Sequence, residues 1–117
     1  MHELSICQAL MEEVARVARE QRARRIVSVT VRVGPLAGVE PALLTSAYPL
    51  ASAGTVAADS RLIVERSEVR VRCTECGAQS QAHCTRLLCA SCGSWRVAVL
   101  EGEELLLTGV ELERDDD

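Results

Sequence analysis

Two Cys-x-x-Cys pairs, Cys73-Thr74-Glu75-Cys76 and Cys89-Ala90-Ser91-Cys92, stand twelve residues apart, and a glycine follows each. Tetrahedral zinc takes four thiolates, and each short pair can curl so that both its sulfurs reach one ion, with Gly77 and Gly93 permitting the turn. The spacing therefore predicts a closed structural zinc site at Cys73, Cys76, Cys89 and Cys92. Four cysteine ligands leave no open coordination position for catalysis. Such a site also explains how roughly thirty residues with few apolar side chains fold at all. The rival readings are a thioredoxin-like redox pair and a labile disulfide switch. The first calls for a single pair at a helix start after a strand, whereas these two pairs lie between short strands.

The rest of the composition is consistent with a small core that needs such a fastener. A chain of 117 residues supports one compact domain, or one domain plus a mini-domain. Aromatics are 2% of it and phenylalanine is absent, so the core is built from Leu, Val, Ile and Ala. The formal net charge of -4 argues against nucleic-acid binding, which needs a surplus of cationic side chains. There is no lysine, which excludes lysine-based Schiff-base or general-base chemistry. No stretch approaches the roughly 20 apolar residues of a membrane span, and Met1-His2-Glu3 lacks a cationic leader, so a cytoplasmic protein is expected. In a reducing cytosol six cysteines are metal ligands, buried thiols or redox groups rather than disulfides.

Leu4 to about Gln21 reads as an amphipathic helix, because Cys7, Leu10, Met11, Val14, Val17 and Ala18 recur at three- and four-residue steps. Ser5 and Gln8 have capping-box spacing. Ile26 to Val33 reads as a strand with Val27, Val29, Val31 and Val33 on one face, stopped by Gly34-Pro35. A second helix is expected from Pro41, carrying Leu43, Leu44, Ala47 and Tyr48, with Pro49 kinking or ending it. Arg61 to Ser67, Glu68 to Arg72 and Leu105 to Glu113 read as strands. The cysteine block is then an excursion from an α+β domain, and the last strand returns to the sheet.

Met1 and His2 suggest a second metal site. The bulky His2 should block removal of the initiator methionine, leaving a free α-amine with a pKa near ~8 that a metal can deprotonate. The His2 imidazole and its ionised backbone amide add two nitrogens in fused chelate rings. That planar, nitrogen-rich set suits Ni(II) or Cu(II) over zinc or magnesium. A helix N-terminus repels cations, so the ionised amide and the Glu3 carboxylate supply compensating charge. His83 and Cys84, between the cysteine pairs, read as loop or packing residues, with a second, exchangeable metal contact as the alternative, and Cys7 reads as core. Arg16, Arg19, Arg22, Arg24 and Arg25 read as a solvated face complementing a helix C-terminus rather than a docking patch.

Met1-His2-Glu3-Leu4-Ser5, the run Val33-Gly34-Pro35-Leu36-Ala37-Gly38-Val39-Glu40-Pro41, Gly54-Thr55, Val69-Arg70-Val71-Arg72-Cys73, both cysteine pairs and Glu101-Gly102-Glu103-Glu104-Leu105 together resemble the HypA/HybF family of hydrogenase nickel-incorporation proteins. The likeness covers essentially the whole chain. It implies nickel held around Met1, His2 and Glu3 as transferred cargo, and structural zinc on Cys73, Cys76, Cys89 and Cys92. It implies a two-part α+β fold: two helices on a mainly antiparallel sheet from residues 1–70 and 104–117, with a zinc-ribbon-like domain inserted at 71–103. The implied partners are a HypB-type GTPase, the hydrogenase large-subunit precursor and, in some organisms, urease accessory proteins; a homodimer is compatible with the chain. Ala47-Tyr48-Pro49 departs from the aromatic second helix of relatives, and only His83 is present where some relatives carry extra histidines near the zinc block. The fourth nickel ligand is unassigned among Glu3, water and His83.

The leading expectation is therefore a non-enzymatic metallochaperone for [NiFe]-hydrogenase maturation. The alternative is a zinc-ribbon interaction adaptor without nickel cargo. A thiol oxidoreductase ranks third, and needs knuckle cysteines that react without a chelator.

Overall fold

The computed structural model describes residues 2–115, which fall into two compact units. The first comprises the residues up to Val31, Val39–Glu65 and the chain from Leu106; the second comprises Arg32–Gly38 and Arg66–Leu105.

In the first unit, helix α1 spans Glu3–Glu20, and its buried stripe of Cys7, Leu10, Met11, Val14 and Ala18 follows helical spacing. His2 is the N-cap, and no side chain caps this end. The capping box expected of Ser5 and Gln8 is therefore not what starts the helix. Beginning at Glu3 puts Ser5 inside the first turn instead of at its boundary. At the other end Arg22 takes a φ of +54°, and Arg114 donates to the Gln21 carbonyl at 3.0 Å and to its side-chain oxygen. This guanidinium satisfies a helix-end carbonyl that lacks an intrahelical donor.

Strand β1, Ala23–Val33, begins three residues earlier than the valine alternation suggests. Val29, Val31 and Val33 are buried on the expected face, but Ile26 and Ser28 are buried on the other, so the early part of the strand is covered on both sides. Helix α2, Pro41–Ser52, starts with proline at its first turn as expected and runs three residues beyond Pro49. Proline removes one donor and crowds only the preceding turn, so the amides after it still bond, as Ala53 N does to the Pro49 carbonyl at 3.1 Å. Strand β2 is Arg61–Arg66.

The two helices run parallel. Glu3 Oε2 accepts from the Glu40 amide at 3.3 Å, and the Cys7 thiol donates to the Leu44 carbonyl at 3.5 Å. Both contacts advance four residues in the same direction, which places the helix N-termini side by side.

In the second unit, strand β3 (Val69–Cys73) is flanked by β4 (Gln79–Ala82) and β5 (Val97–Glu101), both antiparallel to it. Val69, Val71 and Cys73 alternate inward, so the two-residue period of the strand delivers Cys73 to the buried face. The chain returns in β6, Leu105–Arg114, and the larger sheet has the order β2-β1-β6. At the crossing of Gly34 and Gly102, Gly34 N donates to the Glu104 carbonyl at 2.8 Å and Leu36 N to the Gly102 carbonyl at 2.7 Å. A Cβ on Gly34 would lie 2.1 Å from the Gly102 carbonyl oxygen, so only glycine fits this approach.

Candidate metal centres

The two cysteine pairs fold into near-identical turns. Gly77 N donates to the Cys73 carbonyl at 3.0 Å and Gly93 N to the Cys89 carbonyl at 2.9 Å. The cysteine amides complete the wiring, Cys73 to the Ala78 carbonyl and Cys89 to the Ser94 carbonyl, both at 2.9 Å. Gly77 and Gly93 each have a φ of +76°, where a side chain would cost about 1 kcal/mol or more.

Inside each turn, backbone amides point at the first sulfur. Glu75 N and Cys76 N lie 3.4 and 3.3 Å from Cys73 Sγ, and Cys92 N lies 3.5 Å from Cys89 Sγ. Across the turns, Cys73 Sγ is 3.6 Å from Cys92 Sγ and Cys76 Sγ is 3.6 Å from Cys89 Sγ. All four sulfurs lie within 4.8 Å of one another, with Cys73 and Cys89 buried and Cys76 and Cys92 exposed. The four-cysteine cluster read from the spacing is thus assembled as one potential metal site.

Its electrostatics are alternately biased. The amide of Cys76, followed by that of Glu75 and the Cys92 thiol, draws Cys73 down to about 7. The Cys92 amide likewise lowers Cys89. At Cys92 the Ser94 amide pulls downward, but the neighbouring Cys73 sulfur and desolvation outweigh it and push the thiol up to about 12. At Cys76 the Ala78 amide pulls downward most, but the Cys89 sulfur, desolvation and the Cys73 sulfur together outweigh it and raise the thiol. The first cysteine of each pair is thus biased toward the thiolate and the second toward the thiol. A divalent cation displaces the remaining protons, so binding weakens as pH falls.

Side chains that no motif would single out lock the turns together. Ala90 N donates to Ser80 Oγ at 3.2 Å, and the Thr74 amide and hydroxyl both donate to the Arg96 carbonyl, at 2.9 and 2.8 Å. Small hydroxyl residues beside a cysteine pair carry no signal until the partner strand is known.

At the amino end, His2 is exposed. Its carbonyl accepts the first helical bond from Ile6 N at 2.9 Å, while its amide precedes the helical ladder and has no acceptor within it. Glu3 is buried at 7% exposure, with its carboxylate on the Glu40 amide. Met1, the third residue expected here, lies outside the described residues.

The remaining thiols separate plainly. Cys7 is fully buried, and its thiol pKa is raised by burial and then by the nearby Glu3 charge, as suits a core residue. Cys84 is exposed. His83 Nδ1 accepts from the Thr85 amide at 3.2 Å and contacts Thr85 Oγ1 at 2.7 Å, which leaves the proton of the neutral ring on Nε2.

A four-cysteine knuckle pair in one of two compact units defines a small two-unit protein with a potential metal site. The family model described as "Hydrogenase/urease nickel incorporation, metallochaperone, hypA" matches residues 1–112. The hydrogenase maturation factor HypA of Nitrosospira multiformis is 47% identical over 112 residues, covering 96% of this chain and 97% of that protein. That of Aquifex aeolicus is 38% identical over 115 residues, covering 98% and 100%. The solution structure of the nickel metallochaperone HypA from Helicobacter pylori shares the fold, with a TM-score of 0.73 at 24% identity over 98% of this chain and all of that one. The chain belongs to the HypA family.

Proposed function

We propose that this protein is a non-enzymatic carrier that receives Ni(II) at Met1, His2 and Glu3 and passes it on during [NiFe]-hydrogenase maturation. The observation that carries the reading is the place of His2: an exposed imidazole whose own amide stands ahead of the helical ladder and is free to ionise. With a free chain-end amine, these groups form fused chelate rings of the kind that favour nickel. The Glu3 carboxylate counters the positive end of the helix. On this reading the first unit carries cargo.

The second unit is built on zinc at Cys73, Cys76, Cys89 and Cys92. A Zn–S bond of about 2.3 Å gives a tetrahedron with edges of about 3.8 Å. The 3.6 Å separations lie just under that edge, and the widest allowed by the 4.8 Å limit need close by no more than about 1 Å, so the four sulfurs fit one ion with small movements. When bound, the ion supplies cross-linking and no chemistry, since all its positions are filled. The proposed partners are a HypB-type GTPase, the hydrogenase large-subunit precursor and, where present, urease accessory proteins. The setting is a reducing cytoplasm, which keeps the knuckle sulfurs available to metal.

Nickel titration of the untagged protein beside a His2→Ala variant tests the site. Nickel binding is lost in the variant, while zinc content and the circular dichroism spectrum stay unchanged; equal nickel affinity in both proteins overturns the assignment. An N-terminal extension separates this reading from a zinc-only adaptor, because it abolishes nickel binding and leaves the knuckles intact. Lowering the pH through the imidazole value of about 6.5 releases the cargo, as protons compete for His2 and the amine.

A further inference from the structure

We propose that a groove beside the C-terminal half of α1 docks an acidic, leucine-bearing segment of a protein partner. The groove has a volume of about 410 Å³. Met11, Val14, Ala18 and Val56 line its apolar part, and Arg19 and Arg22 stand at its edge. All of these residues belong to the first unit, so the site is complete within one compact body.

The edge continues beyond the groove. Arg16 and Arg19, three residues apart, are neighbours on the helix surface, and Arg22 follows at the helix exit. All three are exposed. Arg24 and Arg25 are engaged by Glu113 at 2.8 and 2.6 Å, but among the described residues Arg16, Arg19 and Arg22 have no such carboxylate. Glu12, Glu13 and Glu20 balance these charges along the helix as a whole, but the groove's own lining carries two arginines, Arg19 and Arg22, in a chain of net charge -4. Asp115 also borders the groove and offsets part of that charge.

One observation tells against a merely solvated helix end: Arg114 already caps the Gln21 carbonyl, so the helix terminus has its cation without the stripe. An apolar floor beside a row of cations is complementary to a segment with leucines on one side and carboxylates on the other. The occupant is a polypeptide rather than a single small anion, because three arginines spread over seven residues face several carboxylates at once. The proposal is independent of the nickel site.

The test uses the full-length metal-loaded protein and a capped synthetic peptide of alternating leucines and paired aspartates and glutamates. The peptide binds saturably, moves the Met11 methyl resonance, and weakens with added salt. An Arg19→Glu, Arg22→Glu double variant binds it about tenfold more weakly. An Arg19→Gln, Arg22→Gln pair reads a smaller loss, about threefold, should charge reversal disturb folding. Arg61→Glu, on β2, leaves binding unchanged. The proposal is overturned if the peptide fails to bind, if a glutamine-and-asparagine version binds equally well, or if Met11 does not move. It is overturned too if Arg61→Glu weakens binding as much as the double variant does. Arginine-dependent self-association in sedimentation assigns the groove to a second copy, and arginine-dependent binding to phosphatidylglycerol vesicles assigns it to a lipid surface; either result replaces the proposal.

Discussion

The two units solve the same problem by different means. The first buries Val14, Ile26, Val29, Val31 and Leu44 almost completely and holds its helices and sheet by apolar packing. In the second, the buried hydrophobic residues are Val33, Val69 and Val71 together with two of the four clustered cysteines. Three valines are a small core for a unit of 47 residues, Arg32–Gly38 and Arg66–Leu105, and the sulfurs stand where further apolar side chains would otherwise be needed. Packing leaves the first unit's surface open to variation, whereas a unit pinned by a metal, as proposed for the second, depends on four atoms.

The largest effect that sharpens this contrast comes from metal removal. A strong chelator, or Cys73→Ser, should unfold the second unit, with an apparent loss on the order of 10 kcal/mol of metal-linked stability. Amide spectra should show collapse of Val69–Cys73 and Val97–Glu101 while α1 signals persist. Loss of both sets together would break the division. Next comes the packed core: Leu44→Ala should cost about 2–5 kcal/mol by denaturant titration, against about 0.5 or less for Leu50→Ala, since Leu44 is fully buried and Leu50 is 74% exposed. Equal costs would remove packing as the first unit's support.

Gly34→Ala should cost about 1–3 kcal/mol, read from the thermal midpoint, because its methyl group meets backbone rather than a movable side chain. The smallest effect is electrostatic. Arg25, hydrogen-bonded to the Glu113 carboxylate, and then Arg24 hold its pKa below the ordinary 4.5. A carboxylate depressed on folding contributes stability above its unfolded pKa and loses it as pH falls through the folded value. The stability gap between wild type and Glu113→Gln should therefore close below about pH 4.5, and a gap that persists in acid would show another origin.

Much of this architecture was legible in the chain. Helical spacing in α1, valine alternation in β1, proline at the start of α2 and the paired cysteines each leave a local signal. β4 left none, because Gln79-Ser80-Gln81-Ala82 has no strong apolar alternation and pairs only because β3 lies beside it. β5 escaped for a related reason: Val97-Ala98-Val99 is too short to be told from loop without its partner. The parallel seating of the helices rests on Glu3 with Glu40 and Cys7 with Leu44, contacts thirty-seven residues apart that no periodicity encodes. The cysteine quartet was readable as a set, but the amides that bias its protons depend on turns visible only once folded.

The contact between Glu3 and the Glu40 amide has a further consequence. A carboxylate has a second oxygen, so in the proposed nickel site a cation can draw on Glu3 while Oε2 keeps the Glu40 amide. The same side chain would then tie the cargo to the mouth of the second helix.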